Sequence, residues 1–277
     1  MRILITNDDG YRAKGLQTLV KLLRPMGDLT IVAPKSAQSG MSMAVTMGYK
    51  PIAVRHLQQD AHEDWWYLDG TPASCIKFGL DNVLCPQRPD LVVSGINHGS
   101  NAATASIYSG TVGAAMEGAV NGILSIGVSL DSFDQDADFS VVEHWLPRLL
   151  DKILAAPNKR FGAFYNINFP DVPVSLVRGV KICHMGMGHW EHEYQDYNEA
   201  FLASKPYHRP TEADRDYVRN ILPGEHLYVM AGDFTDNGNN KHTADHLALS
   251  LGYITITPGN IDNTDYREYE RLCAITL

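Results

Sequence analysis

Asn7-Asp8-Asp9-Gly10 places two carboxylates side by side directly after an apolar run, Arg2–Thr6. Like charges held that close repel, so the pair calls for a compensating cation. Two more polar stretches follow apolar runs in the same way. Residues 33–40 (APKSAQSG) come after LTIV, and Ser94-Gly95-Ile96-Asn97 comes after DLVV. Asp8, Asp9, Ser39 and Asn97 offer oxygen only, with no sulfur or imidazole among them. Such a set suits a hard divalent ion, Mg²⁺ or Mn²⁺, and disfavours zinc. An Asp-Gly pair also reads as a plain turn with Asp8 as a helix-entry cap. The recurrence of the pattern in three loops favours the cation.

A fourth feature is Ser109-Gly110-Thr111, which precedes the small-residue run VGAAMEGAV. A hydroxyl-and-glycine turn at a helix start offers N–H donors and a positive dipole end, which suits a phosphate. The same residues serve equally as an N-cap on a helix kept slim for close packing. Beside a cation the phosphate reading gains, because the ion and the helix end together hold a phosphoryl group.

These loops need a scaffold that brings them to one edge. Short Ile- and Val-rich runs predict strands at residues 2–6, 29–33, 90–94 and 124–130. Between the first two, Leu16, Leu19, Val20 and Leu23 form one apolar face of a helix over residues 15–26. Thr71-Pro72 starts another helix, a third begins near Ser109, and residues 138–154 make a fourth with Pro147 inside it. Strands apolar on both faces, alternating with helices, predict an α/β fold with a mainly parallel sheet covered on both sides. Ligands of such sheets bind beyond the carboxyl ends of the strands, where all three loops project.

The second half reads differently. Residues 161–169, 179–183 and 253–257 predict strands, but residues 184–224 are aromatic, charged and without apolar period. That segment reads as an excursion, a lid or an oligomer arm, set between core regions at about 1–183 and 225–258 of a single domain. The polar tail, 259–277, ends in LCAITL and could pack on a neighbouring subunit.

A chain of 277 residues with 44% hydrophobic and 20% charged content suits a soluble globular protein. The net charge of −9 and dispersed basic residues exclude a nucleic-acid polymer as main partner. Cys75, Cys85, Cys183 and Cys273 are scattered without a CxxC pair, as expected of reduced thiols. No apolar run approaches membrane-spanning length, so a cytoplasmic protein is the expectation.

Six blocks occur together: NDDG, APKSAQSG, LDGTPASC, PDLVVSGINHGSN, YSGTVGAAMEG and GYITITP. In this order they resemble the SurE family of nucleotidases. The resemblance implies a metal-dependent phosphatase acting on nucleoside 5′- and 3′-monophosphates. It also implies a Rossmann-like core and a homodimer or homotetramer with exchanged carboxy-terminal segments. Carried over, the metal ligands fall on Asp8, Asp9, Ser39 and Asn97, and the phosphate-binding residues on Gly40, Asn97, Ser109, Gly110 and Thr111. Asp245 matches a late Asp of the family, whereas His246 falls one place from the expected His. Residues 186–223 depart from the family pattern, which leaves substrate range and subunit contacts open.

The expected chemistry is attack of a metal-activated water on a phosphomonoester, with Asp8, Asp9 and Asn97 as candidate catalytic residues. An aspartyl-phosphate enzyme with Asp8 as nucleophile is one rival. A non-catalytic nucleotide-binding module is another, although GxGxxG is missing after the first strand. His184, His189 and His192 do not form an HExxH pattern and read as surface or packing residues. Trp65-Trp66-Tyr67 and Trp190 read as core or interface before base stacking. Residues 131–138 lack the Gly and Glu of a calcium loop and read as a solvated acidic loop.

Overall fold

The first strand, β1 (Arg2–Thr6), sorts its side chains by their alternation: Ile3 and Ile5 enter one apolar layer and Leu4 the other. The computed structural model describes residues 1–134, 136–158, 160–205 and 210–275. After β1 come α1 (Lys14–Leu23), β2 (Asp28–Pro34), β3 (Val54–Gln59), β4 (Glu63–Leu68) and α2 (Pro72–Phe78). Next are β5 (Leu91–His98), α3 (Ala105–Tyr108), α4 (Gly110–Val120), β6 (Leu124–Leu130), α5 (Ser140–Ala155) and β7 (Ala163–Phe169). The later part holds β8 (Val180–Ile182), β9 (Gly188–Glu191), β10 (Tyr194–Asp196), α6 (Glu199–Ser204) and α7 (Glu212–Arg219). It closes with β11 (Tyr228–Met230), β12 (Asp233–Asp236), α8 (Asp245–Ser250), β13 (Ile254–Asn260) and α9 (Tyr266–Cys273).

Among the described residues a nine-stranded sheet runs in the order β3-β4-β2-β1-β5-β6-β7-β13-β8. From β4 through β7 every pairing is parallel; β3 and β13 join their neighbours β4 and β7 antiparallel. The α/β class with a mainly parallel sheet is therefore as the sequence predicts. Helices α1 and α5 cover the face of Ile3 and Ile5, with Leu16, Leu19, Leu23, Leu146 and Leu150 fully buried. Helices α2 and α4 cover the other through Cys75, Ile76 and Ala114. Ala13 gives α1 no side-chain cap. Its buried apolar residues, at about 1.5–3 kcal/mol for each large side chain, hold it instead.

Helix α4 can lie flat on the sheet because its packed positions are small. A Cβ at Gly118 would overlap Ser125 and crowd Val92, and one at Gly113 would overlap the Ser42 carbonyl. The slim-helix reading of VGAAMEGAV therefore holds.

Several expectations need correction. Helix α1 ends at Leu23, where Arg24–Met26 tightens into a 3₁₀ turn carrying Pro25. Strands β3 and β4 escape the apolar pattern, since β3 is an exposed edge of polar residues. Trp65 of β4 is core, and Trp66 stacks on His56 of β3 at 4.2 Å. The excursion is also longer than residues 184–224. Strand β12 pairs with β9, and β11 with β10, so the chain rejoins the core only near the His184–Ala244 bridge. These strands are only three or four residues long, which hides them from a periodicity reading. Residues 206–209 of the excursion and the last two of the tail lie outside the described residues. The described part of α9 has no buried residue and exposes Tyr266, Tyr269 and Leu272.

Candidate active site

The loops after β1 and β2 meet the end of β5 at the carboxyl edge; residues 94–97, expected as a loop, belong to the strand itself. Thr6 at the end of β1 sits in register with Ser94 of β5. Asn7 Nδ2 donates to the Gly10 carbonyl at 3.0 Å and closes the NDDG loop, with Gly10 at φ +100°. The Gln38 N–H donates to the Asp8 carbonyl at 2.7 Å, and the Tyr11 N–H to that of Pro34 at 2.9 Å. Ser39 and Gly40, both exposed, are thereby carried to Asp8.

The two carboxylates are held by two different elements, the start of α4 and the end of β5. Thr111 donates its N–H to Asp8 Oδ2 at 3.2 Å and its hydroxyl to Oδ1 at 2.7 Å. His98 places its N–H and its Nδ1 on Asp9 Oδ2, at 3.4 and 3.1 Å. Asp8 is 3% exposed, and its side chain crowds Gly110, where a Cβ would sit 2.9 Å from that of Asp8. Burial, and then the charge of Asp9, push the Asp8 carboxyl up to about 7 against the lowering pull of the Thr111 bonds.

Asn97 follows an irregularity in β5. Between Ser94 and Asn97 one extra residue stands opposite β6, which turns the end of the strand. The Asn97 Nδ2 donates to the Gly99 carbonyl at 2.7 Å, so its bonded atom is the nitrogen and its carbonyl oxygen is left for another partner.

The start of α4 follows the N-cap alternative of the sequence reading. Ser109 caps the helix by accepting the Val112 N–H at 3.1 Å, and the Gly113 N–H bonds the Ser109 carbonyl at 2.9 Å. Since the Thr111 donors go to Asp8, that residue holds a carboxylate rather than standing open to phosphate. Asp245 lies apart from this set. Its buried carboxylate accepts the N–H groups of Ala103, Gly186 and His246, each at 2.9 Å, and the Thr257 hydroxyl at 3.2 Å. It ties the root of the excursion to the core. His246 pairs instead with Asp236 of β12 at 2.6 Å.

The residues present fit a divalent ion. Two adjacent carboxylates stand at the sheet edge, the Asn97 amide keeps its oxygen free, and no cationic side chain acts on Asp8 among the described residues. Asn7 Oδ1, buried beside them, has no protein partner among the described residues either. In the histidine-rich stretch His189 pairs with Glu191 at 3.4 Å.

A family model described as "Survival protein SurE" matches residues 3–192. The chain belongs to the SurE family. This SurE-family chain is similar to the 5′-nucleotidase SurE of Syntrophobacter fumaroxidans, 38% identical over 272 residues, covering 98% of each chain. It is also similar to that of Bacteroides fragilis, 35% identical over 270 residues, covering 98% of this chain and 95% of the relative. The crystal structure of the SurE protein from Aquifex aeolicus shares its fold. The TM-score is 0.76 at 27% identity, with 98% of each chain covered.

His98 was missed as a functional candidate, although its imidazole directly follows Asn97 in the same block. Its only signal in the sequence is that position next to Asn97; only the fold shows that it reaches Asp9.

Proposed function

We propose that this SurE-family chain hydrolyses nucleoside 5′-monophosphates, and 3′-monophosphates as well, to nucleoside and phosphate. The carrying observation is the carboxylate pair at the sheet edge, one member held by the start of α4 and the other by the end of β5. The names of its relatives, 5′-nucleotidase SurE, support the substrate class. Asp8, Asp9, Ser39 and Asn97 would hold one divalent ion, Mg²⁺ or Mn²⁺. When bound, that ion polarises a phosphoryl oxygen and lowers the pKa of water toward about 7.

Thr111 orients Asp8, and His98 orients Asp9. Asp9, half-buried where Asp8 is buried, is the carboxylate with access to the attacking water's proton. The Ser109 hydroxyl, the Gly110 N–H and the backbone at Gly40 face the phosphoryl oxygens at the start of α4. Gly40, at φ +75°, lets the loop turn there without a side chain. Both oxygens of Asp8 already accept bonds from Thr111, which disfavours Asp8 as a covalent nucleophile.

The exposed face of α9 supports a homodimer or homotetramer joined through the carboxy-terminal segment, with the excursion as lid or arm. Four free cysteines support a reducing compartment such as the cytoplasm. Among the described residues no helix is long and apolar enough to cross a membrane.

Phosphate release from a panel of nucleotides, with EDTA and with added Mn²⁺ or Mg²⁺, tests this reading. Release with metal and its loss in EDTA are expected. No release under any metal would overturn the assignment and favour a binding module.

A further inference from the structure

His98 reaches Asp9 because of where β5 ends. The extra residue between Ser94 and Asn97 re-aims the last two residues of the strand, as bulges do. The imidazole then lies against Phe139, with ring centroids 5.3 Å apart and planes at 80°. Phe139 is itself fixed. Lys14, the first residue of α1, sits 5.8 Å over its ring and donates to the carbonyls of Asp136 and Ala137 at 3.0 and 2.7 Å. Phe133 packs so close to Gly99 that a Cβ there would meet its ring at 2.5 Å. Phe139, which follows the acidic loop, thus forms the wall behind the His98 ring.

The ring in turn puts its Nδ1 on the same Asp9 oxygen that accepts the His98 N–H. A carboxylate only accepts, so Nδ1 carries the proton. The other ring nitrogen, Nε2, is buried and has no partner among the described residues. It does not open toward a substrate, so His98 does not serve as an acid on the leaving group.

We propose that His98 is the positioning residue for Asp9: it pins Oδ2 from two donors and leaves Oδ1 for the cation. The inference rests on the divalent-ion reading given above. Partners of this kind typically govern metal affinity by about 10- to 100-fold.

The test is Mn²⁺ affinity of the metal-free protein, measured by titration calorimetry or by the free Mn²⁺ EPR signal, with Tm recorded in EDTA for each variant. His98→Leu removes the donor and keeps an apolar ring substitute. His98→Gln carries its amide one bond too far, and His98→Asn carries an N–H the same number of bonds from Cβ as Nδ1. Leu and Gln variants should bind Mn²⁺ about 10-fold or more weakly, with Asn recovering most of the loss. If the Leu variant fails to fold, the Gln and Asn pair makes the same comparison. Affinities within twofold of the unmodified protein, or an Asn variant as weak as Gln, would overturn the proposal. An unmodified protein that binds no Mn²⁺ would overturn the divalent-ion reading itself, a pattern distinct from variants that bind normally.

Discussion

Thr111 donates both its N–H and its hydroxyl to the buried carboxylate of Asp8, from a helix start 103 residues away in sequence. A helix N-terminus stabilises a negative charge through its free N–H groups and dipole, and here the first charge it meets is a side chain of the protein. Thr111→Val keeps the shape and removes the hydroxyl bond, a loss of about 1.5–3 kcal/mol for a bond to a charged group. Metal-supported phosphate release should fall about 10- to 100-fold, while Thr111→Ser keeps most of it. Steady-state kinetics on both variants decide the point, and equal losses in both would show that the hydroxyl is not the active feature.

Asp8 also sets an unusual pH dependence. An unfolded Asp titrates near 3.9, whereas folded, metal-free Asp8 titrates at about 7. Between these values the folded state binds the extra proton, so its stabilising contribution is complete below about pH 4 and is lost as pH rises through about 7. In EDTA, Tm should therefore drop from about pH 5 to about pH 8, and saturating Mn²⁺ should remove the drop by replacing the proton. Asp8→Asn should flatten the EDTA profile, equal or exceed the unmodified Tm at about pH 8, and abolish phosphate release. Near-normal turnover in that variant would remove Asp8 from the mechanism.

Gly113 lies where α4 passes under the loop bearing Ser39. Ser42 in that loop is tied to α3 through the Ile107 and Tyr108 carbonyls, at 2.7 and 2.9 Å, so it has little room to retreat. Gly113→Ala would force a Cβ against the Ser42 carbonyl. The substitution should cost about 1–3 kcal/mol in stability and lower kcat/KM by shifting Ser39 and Gly40. Denaturant melts and kinetics together check this; an unchanged kcat/KM would separate the loop from the reaction.

Asp245 makes a contrasting prediction, because it holds structure rather than substrate. Asp245→Ala would leave the buried N–H groups of Ala103 and Gly186 without an acceptor, at about 1–3 kcal/mol each. Tm should fall and proteolysis should begin within residues 184–244. Mn²⁺ affinity should change far less than in Asp8→Asn. An affinity loss as large as that of Asp8→Asn, at intact Tm, would instead assign Asp245 to the metal site.

The sequence alone determined what its local pattern encodes. Ile3, Leu4 and Ile5 alternate between two apolar layers, so RILIT had to be a strand buried on both faces. An oxygen-only set spread over three strand ends pointed to a hard cation, and six ordered blocks pointed to the family. What tertiary structure decided are partnerships across long separations, which no period or spacing records. Thr111 turned from a phosphate donor into the holder of Asp8, because a packed helix brings its first N–H groups to the end of β1. His98 became the holder of Asp9 through one extra residue in β5 and a wall provided by Phe139. Strands β9 to β12 pair with one another outside the sheet; at three or four residues too short to carry a pattern, they exist only because the chain folds back. The chemistry of the site lay in residue types, and its geometry in which loops the sheet places side by side.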